Sequence, residues 1–189
     1  MLAEHDYQLA YVVPENPIMW FSGIGIPLIF VALGVVLLIF PHKLPSFVSP
    51  QSTSLRRAFG AFACVFAGAI VLLVVTDRVH KYSEWHRLLN SEEARLVEGC
   101  LDYFHPMPRS GNEKEIVAIG GEVFRYSDFD LTTAFNNTRS HGGPIGPRSA
   151  VRIWHDGSNI LKLEVTQNVC PAAPDPGRYG PPAIYRNRT

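Results

Sequence analysis

Two long uncharged runs dominate the first half of the chain. Residues 18–40 give 23 positions without Asp, Glu, Lys or Arg, and residues 58–76 give 19 more. At ~1.5 Å rise per residue, a helix of the first length crosses a ~30 Å hydrocarbon layer with some tilt. The second run begins after Arg56-Arg57 and ends before Asp77-Arg78, so charges mark both of its borders. The pattern predicts two membrane-spanning helices joined by a connector at 41–57. A soluble core suits these runs poorly, because the rest of a 189-residue chain leaves little to cover them. A signal peptide suits the first run no better: no Lys or Arg precedes it, and its apolar stretch is too long.

Within the first run, Met19, Trp20 and Phe21 sit where aromatic rings favour a membrane interface. Pro27 removes a backbone donor and predicts a kink. Gly23, Gly25 and Gly34 leave room for a close neighbour. In the second run Gly60, Cys64 and Gly68 recur every four residues and share one helical face. Packing against the first helix is the simple reading of that face, and a self-association seam or pore wall the sharper one. Residues 83–96 read as a helix with a partial apolar stripe, Trp85, Leu88, Leu89 and Leu96, and Ser91 is placed to cap a short helix starting at Glu92. They close a juxtamembrane segment, 77–96, read as a linker helix that packs on a C-terminal β domain.

Beyond residue 96 the period changes to two. Strands are expected at 96–104, 115–119, 122–126, 131–135, 150–155 and 159–165. Gly120-Gly121 separates the second and third, and Asp156-Gly157-Ser158 the last two, both hairpin signals. Leu161, Leu163 and Val165 alternate with Lys162 and Glu164, so one face is buried and the other wet. The expected fold class is a membrane protein, a two-helix transmembrane hairpin plus a small all-β barrel or sandwich of OB-like or SH3-like size at 97–168. Residues 1–17 read as an N-terminal leader. The stretch 169–189 reads as a disordered tail, with five prolines and two glycines in its last 19 residues.

Charge sharpens this division. Residues 1–76 hold six charged side chains and the remaining 113 hold 28, while acids and bases balance at 17 each. That balance argues against binding a nucleic-acid polymer. Orientation stays open: Lys43, Arg56 and Arg57 in the connector face Arg78, Lys81 and Arg87 after the second run, three against three. Cys100 and Cys170 form a disulfide if the β domain meets an oxidising compartment, and remain free thiols otherwise.

Little in the sequence points to catalysis. There is no Gly-x-Ser-x-Gly elbow, no cofactor motif and no metal-ligand spacing among seven scattered histidines. Glu113 with Glu115, and Asp128 with Asp130, read as exposed acids of strands or loops. Asn136-Asn137-Thr138 and Asn187-Arg188-Thr189 match glycosylation acceptors. The densest polar stretch runs from Asn136 through Arg148 around Gly142-Gly143. Residues 131–165 carry four bases against two acids. Asn136, Asn137, Arg139, His141, Arg148 and Arg152 are the candidate ligand-binding residues, an anion or phosphate cradle of amides and guanidinia. The simpler alternative is a long β-loop whose glycines serve its turns.

Glu98-Gly99-Cys100-Leu101-Asp102-Tyr103-Phe104-His105-Pro106-Met107-Pro108, with Glu122-Val123-Phe124-Arg125-Tyr126-Ser127-Asp128, Phe135-Asn136 and His141-Gly142-Gly143-Pro144-Ile145, looks like a β-rich domain of bacterial proteins. The layout over 18–165 resembles the two-helix-plus-β-domain membrane effectors of prokaryotic antiviral signalling, the CBASS and Panoptes type. That resemblance implies a cytoplasmic β domain binding a cyclic nucleotide, and a hairpin that disrupts the inner (plasma) membrane as a homo-oligomer. The second hypothesis is an envelope accessory protein whose exported β domain binds protein partners. A membrane-bound enzyme is the third and has the least support.

Overall fold

The structure, a computed structural model, describes residues 6–16, 21, 24–40, 52–111 and 113–174. It holds two helices and two small antiparallel sheets. Strands are β1 (Gln8–Val12), β2 (Arg95–Cys100), β3 (Tyr103–His105), β4 (Glu115–Ile119), β5 (Glu122–Tyr126), β6 (Ala150–His155) and β7 (Ile160–Thr166); helices are α1 (Gly25–Ile39) and α2 (Thr53–Asn90). The chain divides into two compact units: 16–83, helical, and 1–15 with 84–189, built around the sheets.

In the β unit one sheet has the order β1-β7-β6-β2 and the other β3-β4-β5. Both contribute to one core. Phe104, Val117, Ile119, Phe124 and Tyr126 from the smaller sheet meet Val151, Ile153, Ile160, Leu163 and Val165 from the larger. The alternation in β7 is as expected, with Leu161, Leu163 and Val165 buried. Its polar face is also organised: Arg152 lies opposite Glu98 and Glu164 across the ladder, and the Lys162 ammonium sits 4.1 Å over its cross-strand neighbour Trp154. Gly120 and Gly121 both take positive φ, 55° and 87°, the paired left-handed residues that a two-residue hairpin with the right twist requires.

Several expectations are corrected. The leader at 1–17 contains β1, which pairs antiparallel with β7 from Gln8↔Val165 to Val12↔Lys162. Tyr11 is the reason this short edge strand holds. Its ring packs edge-on against Phe135 at 5.6 Å and its hydroxyl donates to the Thr133 carbonyl, while Val13 is fully buried. Residues 131–135 are irregular rather than a strand. No helix starts at Glu92: its φ is +57°, α2 ends at Asn90, and Arg95 already belongs to β2. The linker helix of 77–96 is the end of one continuous α2 that stops at Asn90, and its last residues pack in the β unit as expected. There Trp85 is buried and its indole N–H donates to Asp156, and His86 bonds the Pro14 carbonyl at 3.2 Å. The start of the tail is packed as well. Ala173 N donates to Pro147 O at 2.6 Å and Phe104 N to Pro174 O at 3.3 Å. Residues 175–189 lie outside the described residues, as do Met19, Trp20, Gly23 and residues 41–51 of the connector, whose residues 53–57 already belong to α2.

In the helical unit α1 is 15 residues long, shorter than the 23-residue run. Pro27 is its third residue. The first turn leaves its N–H groups without intrahelical partners, so proline there breaks nothing and the mid-helix kink is not formed. α2 has 38 residues, about 57 Å, and is long and apolar enough to cross a membrane. Only 11 % of its most apolar 18-residue stretch is buried. The helices touch where both lack side chains. A Cβ on Gly60 would lie 2.9 Å from the Gly34 carbonyl oxygen, and one on Gly34 2.7 Å from Cys64 Sγ. Gly68, on the same face, would meet nothing within 4 Å. Gly60→Val is therefore expected to force α1 away, at a cost of about 1–3 kcal/mol. Alkylation of Cys64 in detergent should speed up several-fold, while Gly68→Val leaves the rate unchanged. Equal rates in both variants would exclude this contact.

Candidate functional site

The polar stretch is anchored from below by two acids. Glu115 opens β4, and strand alternation puts it on the face of Val117 and Ile119, so its carboxylate points into the core. It is fully buried. Oε1 accepts from the Tyr126 hydroxyl at 2.7 Å, and Oε2 from Arg139 N at 2.9 Å and Met107 N at 3.5 Å. Burial pushes this carboxyl above the usual glutamate range, and the three donors pull it back only in part. Burial and the neighbouring Glu115 charge push the Tyr126 hydroxyl up in turn. The expectation of an exposed Glu115 is thus reversed, because a register that buries Val117 buries residue 115 too.

Asp128 is the second anchor. It accepts from the Thr138 hydroxyl, from Thr138 N at 3.0 Å and from His141 Nδ1 at 2.9 Å. Burial alone would raise this carboxyl; the bonds from Thr138 and His141 outweigh it and hold the group below the usual aspartate range. With Arg139 N on Glu115, these contacts fix the single 3-10 turn Arg139–His141. Gly143 closes the turn against the backbone. Its N–H donates to Thr138 O at 2.7 Å, and a Cβ there would lie 2.2 Å from Asn137 O.

The six candidate residues divide accordingly. Arg139 and Arg148 line one cleft of about 150 Å³ with Gly146, Pro147, Ser149, Gln167 and Asn168. Asn137 is exposed, and Asn136 is spent on structure: its Nδ2 donates to the Asp130 carbonyl at 3.1 Å, which also occupies the amide a glycan would need. His141 belongs to the Asp128 anchor. Arg152 is not part of the loop. It lies on the polar face of the larger sheet, 2.7 Å from Glu98 Oε2, with its guanidinium 4.3 Å over the Tyr7 ring. Alternation places it there, since Val151 and Ile153 take the core side of β6. His105 has a partner of its own, Glu113 at 3.2 Å. Among the described residues no group of three His, Cys, Asp or Glu side chains is placed to hold a metal ion.

Sequence reasoning missed Tyr126, Gln167 and Asn168, and read Glu115 and Asp128 only as exposed acids. The period of two held the signal for Glu115 and Tyr126, which share the strand phase of core positions in their hairpin, Val117 and Phe124. Nothing local signals Asp128, ten residues before Thr138.

Cys100, at the end of β2, and Cys170, after β7, form a disulfide with Cα atoms 5.7 Å apart. It lies next to the cleft: Cys170 N donates to Arg148 O at 3.2 Å, and Arg148 Nε to Cys170 O at 3.4 Å. Compared with protein-family models, with curated proteins and with solved structures, the chain matches none.

Proposed function

We propose that this chain is a non-enzymatic, membrane-anchored binding protein. Its β unit lies on the non-cytoplasmic side of the membrane and engages protein partners as an accessory of the cell envelope. The Cys100–Cys170 disulfide carries this reading, because such bonds persist in oxidising compartments and are rare in the cytosol. The β1–β7 ladder supports it. Two paired strands occupy one side of a bilayer, so the chain between them crosses an even number of times. A single crossing by α2 is incompatible with that pairing. Two crossings, α2 and the shorter α1 with the apolar residues before it, satisfy it. Lys43, Arg56 and Arg57 then fall on the cytoplasmic side and Arg78, Lys81 and Arg87 on the other, so the flanking cations favour neither orientation.

Reporter fusions in a bacterial host test this. A fusion after Thr189 is expected to give active alkaline phosphatase and a dark green fluorescent protein, and a fusion within 41–51 the reverse. A fluorescent C-terminal fusion overturns the reading.

That outcome would favour the second reading, the cytoplasmic effector. In it the β unit binds a phosphorylated small molecule such as a cyclic nucleotide and controls membrane disruption by an oligomeric hairpin in antiviral defence. The observation on its side is the placement of Arg139 and Arg148 in one cleft.

A further inference from the structure

We propose that the cleft between Arg139 and Arg148 is a phosphate-binding site, completed by the segment after β7. The inference rests on neither choice of compartment. Its first support is composition: two guanidinia and two primary amides line the cleft, and no carboxylate does. Elsewhere in the β unit, Lys114, Arg152 and Lys162 are each answered by an acid within 3.0 Å. Arg139 and Arg148 have no such partner among the described residues. Their contacts are single long bonds to carbonyls, Arg139 Nη1 to Gly143 O and Arg148 Nε to Cys170 O, both 3.4 Å. A guanidinium has five N–H donors in a planar fork, so most of these donors remain to be used.

The second support is that both arginines stand on fixed backbone. Arg139 is held through its own N–H on buried Glu115 and through Thr138 on Asp128. Arg148 is held by the bond between its carbonyl and Cys170 N, beside the disulfide, and by the Pro147–Ala173 bond. Ser149, fully buried, accepts the Gly146 N–H at 3.0 Å and closes the floor. The Gln167 amide donates to Pro144 O at 2.7 Å, and Asn168 holds a left-handed φ of 61° at the far wall. Forks set on a rigid base lose little entropy on closing round a tetrahedral oxyanion, which is why paired arginines favour phosphate. A volume of about 150 Å³ admits the phosphate group with a small ester substituent, and the base and sugar of a nucleotide would project outside.

Phenylglyoxal labelling of the full-length protein in neutral detergent, read residue by residue by mass spectrometry, tests this on the unaltered chain. Millimolar inorganic phosphate is expected to slow modification of Arg139 and Arg148 by roughly fivefold or more, and to leave Arg109 and Arg125 unchanged. Phosphate should also raise the melting temperature, and the R139Q/R148Q variant should lose that rise while Arg152→Gln keeps it. Glycerol phosphate protecting as well as phosphate assigns the site to a soluble ester. Protection only by micelles doped with phosphatidylglycerol assigns it to a lipid headgroup. Equal labelling with and without every phosphate, or acetate protecting as strongly as phosphate, overturns the proposal.

Discussion

Replacing Cys100 and Cys170 by serine is expected to lower the stability of the β unit by about 4 kcal/mol, the loss of chain constraint for a bond spanning 70 residues. For a unit of this size that is a fall of roughly 15 °C in melting temperature. The effect is large because of where the bond sits. β3, β4, β5, β6 and β7 all lie between the two cysteines, so the bond closes the whole smaller sheet and two strands of the larger into one loop. It also holds the segment that carries Ala173 into the core and Cys170 beside Arg148. Wild type under reductant should melt with the double variant, and wild type without it well above. A reductant-insensitive melting temperature, or free thiols in protein extracted from membranes, would remove both the cross-link and the argument for an exported unit.

The second large effect belongs to Glu115→Ala. This change leaves the Tyr126 hydroxyl and the Arg139 and Met107 N–H groups without their acceptor in a site that water does not reach. Orphaned donors cost about 1–3 kcal/mol each, and relaxation at the solvent side spares part of that, so a net loss of about 3–5 kcal/mol is expected. The 3-10 turn should loosen with it, and phosphate protection of Arg139 should fall while that of Arg148 is affected less. Chemical denaturation at fixed pH measures the first, and the labelling experiment the second. A loss under about 1 kcal/mol would show that Glu115 is a bystander.

The same residue gives a pH signature. Its folded-state pKa is raised above the ordinary glutamate value of 4.5. Between that value and its folded one the native state holds a proton the unfolded chain has released. The Glu115 contribution is therefore complete below about pH 4.5 and is lost as pH rises through the folded value. Asp128 runs the other way. Its pKa is lowered, so its contribution is present above the ordinary aspartate value of 3.8 and is lost as pH falls through the folded one. Glu115→Gln keeps an acceptor for Tyr126 and has nothing to titrate. It should flatten the decline on the alkaline side of pH 4.5 and leave the acid limb set by Asp128 intact.

How much of this was legible in the sequence depended on the range of the forces involved. The β4–β5 and β6–β7 hairpins could be read because their turns and strands are neighbours in the chain. The glycines at 120 and 121 supply a backbone geometry other residues resist, and alternation in β7 marks its wet face. The close approach at Gly34 and Gly60 was half visible: small residues at four-residue spacing announced a face, but not that Gly60 and Cys64 would use it and Gly68 would not. β1 was hidden. Its five residues carry a weak pattern, and its partner lies about 150 positions away. Glu115 was misread because its charge argued for water, while its strand phase, shared with Val117, argued for the core; the phase won.

The sequence by itself determined the two helices built on uncharged runs, the paired hairpins and the clustering of polar groups around Gly142-Gly143. These arise from local hydropathy, strand period and backbone freedom, which neighbouring residues set between themselves. Only the tertiary structure decided that the N-terminal residues belong to the sheet, that Cys100 meets Cys170, and that Arg139 and Arg148 share a cleft while Arg152 turns away to Glu98. Those outcomes depend on which distant surfaces close over the core. The local period of two says which side chains of a strand turn inward and which turn out, but not which distant residues they meet there.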